Sequence, residues 1–150
     1  MDDPAAITNW RRLDASLTTS GQPGEDDLAR LAALGVRSVI NLGLHSHEQA
    51  LPDERGSVEA LGMRYVRIPV PWDAPDDGHF ADFTAAMADV AGAQVHVHCI
   101  MNYRVSAFIY RWRRDVLGWD EGAAREALLG VWDPAALPAW AAFTGLTPRP

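Results

Sequence analysis

The sequence contains one cysteine, no lysine and no long apolar stretch among its 150 residues. A single cysteine excludes an intrachain disulfide, so nothing in the composition favours an oxidising compartment. No apolar run is long enough to cross a bilayer, and residues 1–4 lack both the basic start and the apolar part of a signal peptide. We therefore expect a cytoplasmic protein without membrane contact.

Positive charge is scarce as well, because 13 arginines face 20 acidic residues and leave a formal net charge of -7. A surface of this sign repels polyanions, which argues against nucleic acid as a partner. The chain is 48% hydrophobic, which is enough to fill one core, and it shows no repeat or linker. We expect a single domain over residues 1–150, with an N-terminal extension (1–16) and C-terminal helices (118–150) packed on it.

Strand-like and helix-like segments alternate along the chain. The apolar patterns predict strands at 17–20, 36–42, 63–70 and 95–99, with helices at about 25–34, 53–61, 80–90 and 103–117. Two shorter helices are predicted at 120–129 and 134–143. This order implies an α/β fold with a parallel or mostly parallel sheet covered by helices on both faces. Ligands bind such sheets beyond the carboxyl ends of the strands.

The lone cysteine lies at one of these strand ends. Cys99 closes the apolar strand and is followed by a short loop and the start of a helix near Tyr103. Loop amides and a helix N-terminus together bind anions and favour a thiolate, and Arg104 can hold an oxyanion. The alternative is an inert buried thiol. We favour a reactive or anion-facing Cys99 because the loop, the helix and the arginine all follow it.

The His98-Cys99 pair, followed by a short loop, Arg104 and Ser106, resembles the phosphate-binding loop of the cysteine phosphatase superfamily, which includes the dual-specificity and tyrosine phosphatases. Residues 19–23 (Thr-Ser-Gly-Gln-Pro), with the helix and strand after them, resemble the opening of bacterial phosphatase-like domains named after beta-lactamase-hydrolase-like proteins. The resemblance covers roughly residues 17–112. It implies a dual-specificity-phosphatase-like fold with a central, mostly parallel sheet and helices on both faces.

The loop differs from that of most dual-specificity and tyrosine phosphatases, which place five residues between cysteine and arginine, a glycine among them. Here the intervening residues are Ile100, Met101, Asn102 and Tyr103. The bacterial group often uses this four-residue spacing, which makes Arg104 the counterpart of its arginine and puts Asn102 in place of glycine. Asparagine tolerates a left-handed backbone better than most residues, so we expect these four residues and Arg104 to bind phosphate.

The resemblance also implies a mechanism. The Cys99 thiolate would attack phosphorus to give a thiophosphate intermediate, and a carboxylic acid from another loop would protonate the leaving oxygen. In dual-specificity enzymes this acid follows the strand that corresponds to residues 65–70, which implies Asp73. Asp76 and Asp77 are the fallback candidates, and the alternative is that all three only form turns.

Three further polar residues are expected to support the loop. His98 would order it through a hydrogen bond. Ser106 would either stabilise the thiolate or cap the following helix, and Gln22 would either border the pocket or serve only its turn. No metal site is predicted, because His45, His47 and Glu48 have no second ligand cluster to accompany them, and no cofactor is expected.

These features predict a cysteine-dependent phosphatase, a phosphoric monoester hydrolase that acts on a small phosphorylated or other oxyanionic substrate. The short loop leaves two alternatives open. A smaller ring suits a persulfide, which would make the protein a rhodanese-like sulfurtransferase that uses Cys99. The missing loop glycine would also fit a non-catalytic, anion-binding pseudophosphatase.

Overall fold

A computed structural model describes residues 2–150. The strands within this range are Arg11–Arg12 (β1), Leu17–Ser20 (β2), Ser38–Asn41 (β3), Arg64–Arg67 (β4) and Val95–His98 (β5). The helices are Glu25–Leu34 (α1), Glu54–Ala60 (α2), Asp77–Asp89 (α3), Tyr103–Asp115 (α4), Glu121–Arg125 (α5) and Pro138–Thr144 (α6). Short 3₁₀ turns follow α5 at Glu126–Leu128 and precede α6 at Pro134–Ala136. The strands and helices alternate as the sequence predicts, and most strands are shorter than their apolar runs.

The strands form one sheet in the order β1-β2-β5-β3-β4. All neighbouring pairs are parallel except β1 with β2. This confirms the predicted α/β fold with a mostly parallel sheet. The central position of β5, between β2 and β3, places the cysteine strand in the middle of the molecule.

The N-terminal segment is part of the sheet and does not merely extend from it. Arg11 and Arg12 of β1 pair with Thr19 and Thr18 of β2. A strand of two residues is too short to show a period of two in the sequence, so hydrophobic patterning could not reveal it. Ile7, just upstream, is buried in the core.

Helices cover both faces of the sheet, and the alternation of side chains along each strand divides the core in two. Ile40 of β3 and Val97 of β5 pack in a cluster with residues of α3, α4 and α6. Val39, from the opposite face of β3, packs with residues of α1 and α2. His96 and His98 alternate with the valines of β5 and therefore lie on the α1–α2 side. No helix within residues 2–150 is both long and apolar enough to cross a membrane.

Candidate active site

Cys99 lies at the carboxyl end of β5, where the neighbouring strands hold its backbone on both sides. The N–H of Leu42, beyond β3, donates to the carbonyl oxygen of His98 at 2.8 Å, and the Cys99 N–H donates to Ser20 of β2 at 3.4 Å. The free thiol is buried. The position of the cysteine is therefore set by the rigid centre of the sheet and not by a mobile loop.

The chain turns from β5 into α4 through residues 100–102, and Asn102 makes the turn possible. Its φ is 69° and its ψ is 5°, which is the left-handed conformation. A turn of this kind favours glycine, but asparagine also adopts it. The left-handed backbone is therefore formed here with asparagine in the position where the resemblance led us to expect glycine.

Arg104, in the first turn of α4, carries an unpaired buried charge. It is 8% exposed, and its guanidinium carbon lies 5.4 Å from the centroid of the Trp72 ring. Within residues 2–150 no carboxylate forms an ion pair with it, and its Nε has no hydrogen-bond partner. A buried cation without a counter-charge is costly, so this position is suited to binding an anion.

A cavity of about 380 Å³ opens above the loop. Its lining residues are His47, Trp72, Ile100, Met101, Tyr103 and Arg104. Four of the predicted phosphate-binding residues therefore line one space, while Asn102 is buried behind it. The ring of Tyr103 stacks on Trp132 at a centroid distance of 5.2 Å, which fixes one wall.

A buried polar network lies behind the loop, on the α1–α2 side of the sheet. His98 Nε2 is 2.6 Å from Glu54 Oε2, and the other carboxylate oxygen accepts a hydrogen bond from Gln22 Nε2 at 2.8 Å. Glu54 is only 2% exposed. Burial by itself would raise the pKa of Glu54, but the hydrogen bond and the charge of His98 outweigh it and lower that pKa.

Glu54 is a residue that the sequence reasoning missed. It belongs to the first turn of α2, where an acidic residue is ordinary because it suits the helix dipole. Its partner His98 is 44 positions away, and no local motif links the two. Gln22 belongs to this network through its bond to Glu54, and with Ile100 it lines a cavity of about 250 Å³ that is separate from the one above the loop.

Ser106 is bonded within α4 and to the C-terminal segment. Its hydroxyl donates to the carbonyl oxygen of Tyr103 at 3.1 Å and accepts from Trp132 Nε1 at 3.1 Å. Helix α4 begins at Tyr103 with Asn102 at its cap position. Of the two roles expected for Ser106, capping the helix is therefore wrong, because the helix begins three residues earlier, and stabilising the thiolate stays a prediction.

The three candidate acids have different surroundings. Asp76 caps α3 by accepting from the His79 N–H at 2.9 Å, and Asp77 pairs with Arg111 at 3.0 Å. Asp73 is exposed next to Trp72, and it makes no hydrogen bond or ion pair with the described residues. Of the three, it is the one whose carboxyl group is available.

The histidines of the loop after β3 do not converge on a metal site. His45 Nε2 lies 2.7 Å from the hydroxyl of Tyr65, whereas His47 lines the cavity. In the part of the chain that the structure describes, no group of three or more His, Cys, Asp or Glu side chains is arranged to hold a metal ion.

Comparison with known protein families identifies the family to which this fold and site belong. The family described as the phosphatase-like domain of beta-lactamase hydrolase-like proteins matches residues 9–112. The chain belongs to this family. The match contains every candidate site residue, from Gln22 to Ser106, which confirms the resemblance found in the sequence.

Curated members of the phosphatase-like family are longer than this chain. A beta-lactamase hydrolase-like protein of Agrobacterium fabrum is 33% identical over 91 residues, which are 59% of this chain and 21% of that protein. One from Xylella fastidiosa is 31% identical over 113 residues, which are 69% of this chain and 26% of that protein. The match therefore spans about a quarter of the length of these relatives.

Solved structures support the same family fold. A phosphatase of the DUF442 group from Shewanella putrefaciens superposes with a TM-score of 0.82 at 33% identity, covering 95% of this chain and 93% of that one. A cysteine-to-serine variant of TpbA from P. aeruginosa, in complex with pTyr, gives 0.73 at 24% identity, with 96% and 86% covered. The core catalytic domain of the PP-IP phosphatase SIW14 from S. cerevisiae, in complex with citrate, gives 0.65 at 13% identity, with 85% and 80% covered. The last two share the fold.

Proposed function

We propose that this chain is a cysteine-dependent phosphatase domain that hydrolyses a phosphomonoester through a Cys99 thiophosphate intermediate. The observation that carries the proposal is the guanidinium of Arg104, which has no ion pair within residues 2–150, follows the Cys99 loop in the first turn of α4 and lies on the wall of an open cavity. An anion bound there would neutralise a charge that nothing else in the described chain neutralises.

In the first step, the Cys99 thiolate attacks phosphorus, and a P–S bond forms while the P–O bond to the leaving group breaks. Asp73 gives its proton to the leaving oxygen. Water then attacks the thiophosphate, Asp73 takes up the proton of that water, and the P–S bond breaks to release inorganic phosphate. Arg104 and the amides of residues 100–104 hold the equatorial oxygens in both steps.

The position of Asp73 supports its role as the acid. It follows β4 on the same loop as Trp72, whose ring borders both the cavity and the guanidinium of Arg104. Asp76 caps α3 and Asp77 pairs with Arg111, so moving either carboxyl group into the cavity would break an existing contact. An exposed carboxyl on a loop is free to reach a leaving group.

The cavity favours a small substrate with one phosphate. Arg104 is the only lining side chain with a permanent positive charge, and most of the wall is apolar or aromatic. A polyphosphate would require several cations. The phosphotyrosine bound to the TpbA variant and the citrate bound to SIW14 are both small oxyanionic ligands, in agreement with this choice.

The proposal is tested by assaying the purified chain and its Cys99→Ser variant on para-nitrophenyl phosphate at mildly acidic pH. We expect phosphate release that the variant abolishes. A parallel assay supplies thiosulfate and cyanide. Thiocyanate formation without phosphate release would establish sulfur transfer and refute hydrolysis, and binding of phosphate without either reaction would identify an anion-binding pseudophosphatase.

A further inference from the structure

The outer side of the Cys99 loop contacts the N-terminal segment through two asparagines. Asn9 Nδ2 donates to the carbonyl oxygen of Met101 at 2.9 Å, and Asn102 Nδ2 donates to the carbonyl oxygen of Asn9 at 2.8 Å. We call this reciprocal pair, Asn9 with Asn102, the asparagine clasp. Both residues have a positive φ, 48° and 69°, and no other non-glycine residue within 2–150 does.

The clasp acts on the direction of the loop amides. In a trans peptide the carbonyl and the N–H of the next residue point to opposite sides, and no peptide within residues 2–150 is cis. A carbonyl that is held outward therefore turns the next N–H inward, toward the space where an anion would bind. Three successive loop carbonyls have such a partner: Cys99 O lies 3.1 Å from His98 Nδ1, Ile100 O accepts from the Gln22 N–H at 3.0 Å, and Met101 O accepts from Asn9.

We propose that Asn9 is a positioning residue of the anion site, because it holds the Met101 carbonyl outward and so directs the Asn102 N–H toward the bound oxyanion. The proposal rests on the proposed function only in placing an oxyanion in this loop, and it does not depend on hydrolysis. Since Asn9 lies in the N-terminal segment, that segment is a working part of the site.

The clasp also gives a reason for asparagine in place of the loop glycine. Asn102 adopts the left-handed conformation that glycine would adopt, and its side chain adds bonds to Asn9 and to Thr19 Oγ1, the latter at 3.1 Å. Glycine has no side chain to make them. The loop thereby gains two anchors, one on β2 and one on the N-terminal segment.

Asn9 can be changed without leaving a cavity in the core, because its side chain is exposed. Asn9→Gly retains the freedom to adopt a positive φ and removes only the donor. Asn9→Asp keeps the shape but places a carboxylate oxygen against the Met101 carbonyl. Thr8→Asp, one residue away, adds the same charge without touching the Met101 bond. Asp3→Ala removes another tie of the N-terminal segment, the pair with Arg12 at 2.7 Å.

The experiment measures tungstate binding to the full chain by calorimetry, with the thermal midpoint recorded for each variant. We expect Asn9→Gly to raise the Kd about tenfold, the effect of one hydrogen bond to a loop that must present its amides. Asn102→Gly removes two side-chain hydrogen bonds and should raise the Kd at least as much. Asn9→Asp is expected to raise it further than Asn9→Gly. Thr8→Asp and Asp3→Ala should bind within about twofold of wild type.

A merely structural role for Asn9 predicts a lower thermal midpoint with an unchanged Kd, and predicts that the isosteric Asn9→Asp is milder than Asn9→Gly. Either result overturns the proposal, as does a wild-type chain that binds no tungstate. If Asn9→Gly does not fold, the Kd of Asn9→Asp decides, because that variant keeps the shape of the side chain and removes the donor to the Met101 carbonyl. Tungstate binding that depends on Asn9, without phosphate release from any ester, would refute hydrolysis and uphold the role of Asn9.

Discussion

The carboxylate of Glu54 and the imidazole of His98 form a buried contact of 2.6 Å directly behind the Cys99 loop. The other ring nitrogen of His98 lies 3.1 Å from the carbonyl oxygen of Cys99, which can only accept a hydrogen bond. Both ring nitrogens of His98 therefore face oxygen atoms, and these two contacts fix the orientation of the ring behind the backbone of the candidate nucleophile.

Glu54→Gln should destabilise the protein at neutral pH by about 2 kcal/mol, since it removes the charge that strengthens two contacts of this buried side chain, with His98 and Gln22. The pKa of Glu54 is lowered in the folded protein from an ordinary value of 4.5. Its contribution is therefore fully present above pH 4.5 and is lost as the pH falls toward the folded-state pKa. Urea unfolding of wild type and Glu54→Gln at pH 7.0 and pH 3.5 measures the difference in the free energy of unfolding at each pH.

The matched control for this change is Glu59→Gln on the same helix. Glu59 is exposed and lies 3.9 Å from Arg55, so its loss should change the free energy of unfolding by less than about 0.5 kcal/mol. A difference between wild type and Glu54→Gln that is the same at both pH values would show that the charge of Glu54 is not what stabilises the fold.

A second buried histidine predicts loss of stability in mild acid. His96 lies between the hydroxyls of Thr18 and Ser20, each 2.8 Å from a ring nitrogen. Complete burial, with the nearby charge of His98 as a smaller cause, holds the pKa of His96 well below 6.5. The unfolded chain therefore takes up a proton below pH 6.5 that the folded protein does not.

Because the unfolded chain binds this extra proton, we expect His96 to reduce the free energy of unfolding by about 1.4 kcal/mol for each pH unit below 6.5. The measurement is a series of urea titrations between pH 7.5 and pH 5.0. The change in the free energy of unfolding per pH unit should be smaller in His96→Asn and should stay the same in His47→Gln, which alters an exposed histidine. An equal slope in wild type and His96→Asn would contradict the assignment.

The parts of the site that follow from local sequence could be predicted, whereas those that depend on distant partners could not. Cys99 and Arg104 share one strand–loop–helix segment, and the left-handed conformation of Asn102 follows from the tight turn within it. Glu54 and Asn9 act on residues 44 and 92 positions away. Only the order of strands in the sheet brings them together, and neither residue belongs to a pattern with a period.

Arg104→Met is expected to have opposite effects on stability and on binding. It replaces a buried cation that has no partner within residues 2–150, so the thermal midpoint should stay the same or rise. Tungstate binding and phosphate release should both fall by about 100-fold or more, because the anion loses its only charged contact on the cavity wall. The exposed Arg30, paired with Asp27, provides the control Arg30→Met. A variant that loses stability and keeps its anion affinity would remove Arg104 from the site.

Asp73→Asn tests the acid through the leaving group. A good leaving group such as para-nitrophenolate departs without a proton, whereas an alkoxide needs one. We therefore expect kcat to fall about 100-fold for an alkyl phosphate and only a few-fold for para-nitrophenyl phosphate. Asp76→Ala should show no such dependence, and its cost of about 1 kcal/mol should appear in stability, because it removes the cap of α3. If Asp73→Asn lowers both rates equally, the proton comes from another group, and Asp73 belongs only to its turn.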